Sequence, residues 1–332
     1  VTATSRRRLP ALLLLLGALL PAPPALASPT TETRFLLGTV ITVTLWNPPA
    51  DLTRPALDAA FEAFAAVDRE MARRPGTALW RLNQDGGGLV SPEMAEVLDA
   101  SLQWARRTKG LFDPTVAPLL DLWDIPSGPH PPPSPEAIRQ ARGRVGWERV
   151  RWDPRTRRVD LGGTALDFGG IAKGYALERA AAALRRAGAR NFLVDAGGDV
   201  LVAGSKAGRP WRVGIQHPRD PDAFLRVVEP REGVLLTSGD YQRAYTWKGE
   251  TFHHLLDPRS GTPARACRAV TVWAPRPTLV PSAAVFLLGP EEGLSLLASV
   301  AGAEGLVVDA AGGVRETPGF ARVAPEPKAG EQ

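Results

Sequence analysis

The chain has 332 residues, with 40 Lys and Arg against 35 Asp and Glu, and Cys267 is its one cysteine. Three of the basic residues, Arg6, Arg7 and Arg8, lie within the first 27 positions; without that segment the balance is 37 to 35, too even for global charge to indicate a nucleic-acid partner. A lone cysteine excludes an internal disulfide framework and a cysteine-built zinc cage.

In chain order, Arg6 to Arg8 precede an apolar run, residues 9–20, that ends in Ala25-Leu-Ala27. The run is short for a transmembrane span and the small residues suit cleavage, so residues 1–27 read as a secretory signal peptide. The expected location is extracytoplasmic, in the periplasm, soluble after cleavage, with a membrane only as export route or as the place of a partner. Residues 35–46 are rich in β-branched side chains and read as a strand. Over residues 52–72, Leu57, Phe61, Phe64 and Val67 recur at helical spacing. A second helix opens where Ser91 caps and Pro92 takes the first turn, and it stops near Gly110.

Residues 126–135 are a proline-rich loop, and a third helix begins after Gly169-Gly170 and ends at Gly188. Residues 191–195, 200–203, 211–215, 234–236 and 270–274 are short apolar runs between glycine and proline turns, which predicts strands. Lys248-Gly249 between two further runs predicts a hairpin. Residues 282–300 are helical in character, and residues 324–332 form a polar tail expected to be disordered.

Three strings carry chemistry. Asp167-Phe-Gly-Gly-Ile-Ala-Lys-Gly-Tyr-Ala176 puts two glycines directly before a helix. Such an entry exposes backbone N–H groups to an anion, and Lys173 adds a full charge. It matches neither the dinucleotide fingerprint nor the P-loop. The second string, Thr237-Ser-Gly-Asp-Tyr-Gln-Arg243 with His253-His-Leu-Leu-Asp257-Pro-Arg-Ser-Gly-Thr-Pro263, gathers hydroxyls, acids and half of the chain's four histidines around one hairpin. Strand alternation sends His253 and His254 to opposite faces, so at most one of them enters a given site. In the third, Gly110 to Trp123, Phe112, Leu119 and Trp123 are core anchors and Asp113 caps a turn.

Together with Leu37-Gly-Thr39, Arg81-Leu-Asn83 and Asp195-Ala-Gly-Gly-Asp199, these strings resemble the ApbE family of FAD:protein FMN transferases, in the family's motif order, over residues 34–318. The resemblance implies an α+β fold over residues 28–323, with a mixed or mainly antiparallel sheet flanked by helices and the ligand in a cleft between two halves. It implies that the FMN moiety of FAD is moved onto a Ser or Thr hydroxyl of an acceptor protein, AMP leaving, with Mg²⁺ at the pyrophosphate. Carried over by position, His254 is the general base and Asp257 orients it or approaches the metal, while the carbonyl of Ala172 is a metal ligand. Asn83, Asp113, Gly170, Lys173, Gly197, Gly198, Thr237, Ser238, Asp240 and Arg243 line the nucleotide site.

The chain departs from the family at two places. Aligned on Phe286-Leu-Leu-Gly289, Leu279 and Ala283 stand where the family has a metal-binding Asp and Thr. Arg73 and Arg74 lie where it has a Ser and an aromatic residue. Mg²⁺ takes a nearly octahedral oxygen shell anchored by carboxylates, so the first departure leaves open two other activities: a flavin-binding protein that has lost its metal, and a hydrolase splitting FAD into FMN and AMP.

Overall fold

A computed structural model describes residues 28–276 and 280–323. The expected signal peptide, the polar tail and Leu279 lie outside the described residues.

Eight strands form one antiparallel sheet in the spatial order Pro29–Leu36, Thr39–Trp46, Phe192–Ala196, Asp199–Ala203, Glu232–Gly239, Cys267–Ala274, Glu304–Asp309 and Val314–Glu316. The expected α+β architecture with a mainly antiparallel sheet is therefore present. The single strand expected over 35–46 is instead the second arm of a hairpin. Leu37 and Gly38 both have positive φ, 54° and 67°, the backbone twist that a two-residue turn between right-twisted strands requires. Past that turn the alternation is clean: Ile41, Val43 and Leu45 are buried, and the threonines between them face outward.

The sheet is covered on both faces, which explains strands such as Asp199–Ala203 that are buried at every position. Leu201 and Ala203 join Val234, Leu236 and Val272 in the large core under the helices. On the other face, Val200 and Val202 pack on Trp211, and Leu235, Leu306 and Val308 pack on Ile215, Val228 and Phe320.

Two helices lie together over the first core. Ala50–Met71 turns Leu57, Phe61, Phe64 and Val67 inward as the periodicity predicts; burying each phenylalanine contributes roughly 1.5–3 kcal/mol. Ala172–Arg186 packs against it and buries the small side chains of Ala176, Ala180 and Ala181. Pro92–Arg107 starts where the Ser91 hydroxyl accepts the Met94 N–H at 3.1 Å. Ala78–Asp85, not anticipated, is capped by Thr77 and ended by Gly86 at φ 71°. Ser282–Ala298 is broken at Gly289-Pro290, where Gly289 has φ 84° and ψ 179°.

All of residues 47–191 separate strands Thr39–Trp46 and Phe192–Ala196, which are nonetheless paired. This insertion brings the loop after Pro92–Arg107 and the start of Ala172–Arg186 against the ends of the sheet. The hairpin Ala244–Trp247 and Glu250–His253 closes the gap, held by Tyr245 and Phe252 against Trp123, whose indole N–H donates to the Gly261 carbonyl at 2.7 Å.

Gly197 closes the turn between Phe192–Ala196 and Asp199–Ala203 at φ 62°, and an added Cβ would overlap the Thr39 hydroxyl. Gly197→Ala is therefore expected to cost roughly 1–3 kcal/mol, from left-handed strain and overpacking. Urea denaturation measures it, and pairing the change with Thr39→Ala should recover the overlap part only.

Candidate functional site

A cavity of about 640 Å³ opens where the insertion meets the sheet, within the usual size of ligand sites. Of the residues expected at the site, Asp113, Gly170, Lys173, Gly197, Thr237, Ser238, Arg243 and His254 line it. Asn83, Ala172, Gly198, Asp240 and Asp257 do not.

Lys173 occupies the first turn of Ala172–Arg186. Its Nζ lies 2.6 Å from Asp199 Oδ2, and Asp199 Oδ1 accepts the Thr237 N–H at 2.9 Å. Asp199 is buried, so this pair ties the helix start to two neighbouring strands. The Phe168 carbonyl accepts the N–H groups of Ile171 and Ala172, whereas those of Lys173 and Gly174 meet no backbone acceptor among the described residues. An ammonium beside unpaired N–H groups at a helix N-terminus suits an anion. Gly170 is required there, because a Cβ would come within 2.8 Å of the Phe112 ring.

The histidines separate as alternation predicts. His253 is buried, its Nε2 against the Ala264 carbonyl at 2.9 Å and its ring edge-on to Phe286. His254 lines the cavity. Its backbone N–H donates to the Arg243 carbonyl at 3.2 Å, and its Nδ1 lies 3.3 Å from that same oxygen. A carbonyl only accepts, so Nδ1 carries the hydrogen and Nε2 keeps the lone pair.

Burial, then the Arg243 cation and more weakly Lys173, push the His254 imidazole down to about 3, against a small opposing pull from the Arg243 carbonyl. The ring is therefore neutral at physiological pH. The unfolded chain would take up a proton here as pH falls below about 6.5, while the folded chain would not. The stability contributed by His254 is thus complete above that value and declines as pH falls toward 3. In the ligand-free protein, the ring resonances that disappear in His254→Gln are expected to hold their shifts from pH 8 to pH 5; a midpoint near 6.5 would contradict the burial argument.

Six expected contributors are engaged elsewhere or stand off the cavity. Asp257 does not orient His254: its carboxylate accepts from the Arg259 backbone at 2.8 Å and pairs with the Arg259 guanidinium at 3.0 Å. Asp240 is held in a bidentate pair with Arg219, both contacts at 2.7 Å. Asn83 clamps both backbone groups of Leu166, at 2.9 and 2.8 Å, and so holds the approach to Asp167. Gly198 turns the backbone, its N–H on Asp195 Oδ1 at 2.9 Å. Ala172 is not exposed to the cavity. Asp113 lines the cavity, yet its oxygens accept from Thr115 and from the Trp147 N–H, and burial pushes its carboxyl up.

Two contributors went unassigned in the sequence. Asp199 ends the string Asp195-Ala-Gly-Gly-Asp199, and its place beside two turn glycines at a strand start was the available signal. Arg73 also lines the cavity, its guanidinium 2.6 Å from both Asp167 and Asp121; nothing local ties three positions so far apart in the chain.

The oxygen donors do not fit a divalent cation. Among the described residues no three His, Cys, Asp or Glu side chains cluster as a metal set. Ala283 presents a methyl group, the Ser238 and Ser282 hydroxyls bond each other at 2.9 Å, and Asp199 and Asp257 are engaged by Lys173 and Arg259. Mg²⁺ is anchored by carboxylates, and of the five aspartates lining this cavity Asp113, Asp121, Asp167 and Asp199 already hold hydrogen-bond or ion-pair partners.

Comparison with known proteins agrees with this architecture. The model of the ApbE family matches residues 37–307. The FAD:protein FMN transferase of Treponema pallidum is 28% identical over 299 residues, covering 82% of this chain and 83% of that one. The one of Rhodobacter capsulatus is 33% identical over 271 residues, 77% of this chain and half of its own length. Among solved structures, the ApbE protein of Thermotoga maritima superposes with a TM-score of 0.82 at 30% identity, over 90% of this chain and all of that one.

Proposed function

The chain belongs to the ApbE family, and from that premise we infer that it is an FAD:protein FMN transferase. The carrying observation is that Lys173 and His254 open onto one cavity, with Lys173 and Arg243 near enough to His254 to disfavour its protonation. In this reading FAD lies with its pyrophosphate at the start of Ala172–Arg186, against the ammonium of Lys173 and the N–H groups of Lys173 and Gly174.

The acceptor is a Ser or Thr hydroxyl of another protein. Its oxygen bonds to the FMN phosphorus while the bond from that phosphorus to the bridging oxygen breaks, so that AMP departs with the electron pair. The hydroxyl proton passes to Nε2 of His254, which its Nδ1–H contact with the Arg243 carbonyl keeps in the accepting tautomer. Thr237 and Ser238 line the wall, and Gly170 and Gly197 let the backbone come close. No step is assigned to a metal, because the donors fit none. The Arg6 to Arg8 signal and its apolar run support action outside the cytoplasm, on an acceptor exported or held at the membrane.

Incubating the purified chain with FAD and candidate acceptor proteins tests the reading. AMP together with flavin that stays on the acceptor after denaturation is the expected result. Ala283 favours a second reading, a binding protein without turnover, which would give FAD binding and no AMP. AMP with free FMN and no labelled acceptor would indicate hydrolysis.

A further inference from the structure

We propose that in this chain the guanidinium of Arg243, and not a divalent cation, meets the pyrophosphate beside His254, so that FAD binding is independent of magnesium. This rests on the FAD reading above and deepens it.

The charges lining the cavity carry the inference. Asp113, Asp121, Asp124, Asp167 and Asp199 stand against Arg73, Lys173 and Arg243. With more acid than base around it, a phosphate has to be met at a particular cation and not by a general field. Arg73 is shared between Asp167 and Asp121, and Lys173 is held on buried Asp199. Arg243 alone of the three makes no ion pair among the described residues.

Its placement is determined by the hairpin. Ala244 pairs with His253, and the next position outward puts Arg243 opposite His254, whose backbone N–H donates to the Arg243 carbonyl at 3.2 Å. The arginine is exposed and free to turn its fork onto two phosphate oxygens, the geometry in which guanidinium exceeds ammonium. The metal alternative lacks donors in the cavity lining, where the Ser282 and Ser238 hydroxyls bond each other and Ala283 has no side-chain oxygen. One arginine then has two tasks: its charge meets the phosphate, and its carbonyl sets the tautomer of the base.

The full chain is titrated with FAD by flavin fluorescence, in magnesium and in EDTA, as wild type, Arg243→Lys and Arg243→Gln. The expected result is one wild-type affinity, within about twofold, in both buffers. Arg243→Gln should bind roughly 10–100-fold more weakly, as for loss of charged hydrogen bonds, with Arg243→Lys between them. Thermal unfolding should be unchanged in both variants, because the side chain braces nothing. An FAD affinity that falls tenfold or more in EDTA, or an Arg243→Gln protein that binds as wild type, overturns the inference and leaves the FAD reading standing. A wild-type chain that binds FAD in neither buffer overturns both.

Discussion

Lys173→Met is expected to remove AMP release almost entirely and, separately, to lower stability. The rate should fall about 10²–10³-fold, as when one fixed donor to developing charge is lost. The stability loss has another origin: with its ammonium gone, Asp199 keeps a buried carboxylate whose remaining partner is the Thr237 N–H, which costs roughly 3 kcal/mol. Lys173→Met combined with Asp199→Asn removes the orphaned charge and should regain most of that stability, but none of the activity. Denaturation and AMP release, measured on both single variants and the double variant, separate the contributions. If the double variant also turned over FAD, Lys173 would be only a brace for the sheet end.

His254→Ala should reduce turnover of bound FAD about 10²–10⁴-fold, the usual yield of a positioned base, and leave FAD affinity within a few-fold of wild type. Its ring makes one hydrogen bond among the described residues, to the Arg243 carbonyl, so the stability change at neutral pH should be small. The pH profile distinguishes a base from a spacer. With the free imidazole pushed down to about 3 by burial and the Arg243 cation, the wild-type kcat/KM should lose nothing to His254 protonation between pH 8 and pH 5. A bound pyrophosphate would pull the ring pKa upward, so kcat should fall at a higher pH than kcat/KM does. Equal profiles for kcat and kcat/KM, or wild-type turnover in His254→Ala, would reassign the proton.

Much of this site was legible in one dimension because it is built from local devices. Gly169-Gly170 before a helix exposes N–H groups wherever it occurs, and alternation in residues 251–254 puts the two histidines on opposite faces, the resemblance alone pointing to His254. Lys248-Gly249, with φ 48° and 85°, made the hairpin readable. The turn at Leu37-Gly38 was obscured because leucine seldom takes a left-handed conformation. Helix Ala78–Asp85 was obscured by its length, since so short a helix depends on its cap and its packing.

The residues misplaced in advance share a cause. Asp257, Asp240 and Asn83 are types that bind nucleotides and metals, and each stands in a string with the right neighbours. An aspartate two residues before an arginine can equally fold back on it, as Asp257 does with Arg259, and Asp240 meets Arg219 from the turn between the paired strands Val213–His217 and Asp220–Val228. Which partner a carboxylate takes is settled by distances across the fold.

By itself the sequence determined the family, the elements that carry the motifs, the placing of the two histidines on opposite faces, and the absence of an oxygen at position 283. Those properties follow from residue identity and from backbone periodicities of two and 3.6 residues. The tertiary structure decided which charges are spoken for: Lys173 by Asp199, Arg73 by two aspartates, Asp257 by Arg259, and Arg243 by none among the described residues. Coulomb attraction and hydrogen bonding act across a few ångströms of space and take no account of separation along the chain, so that allocation exists only once the chain has folded.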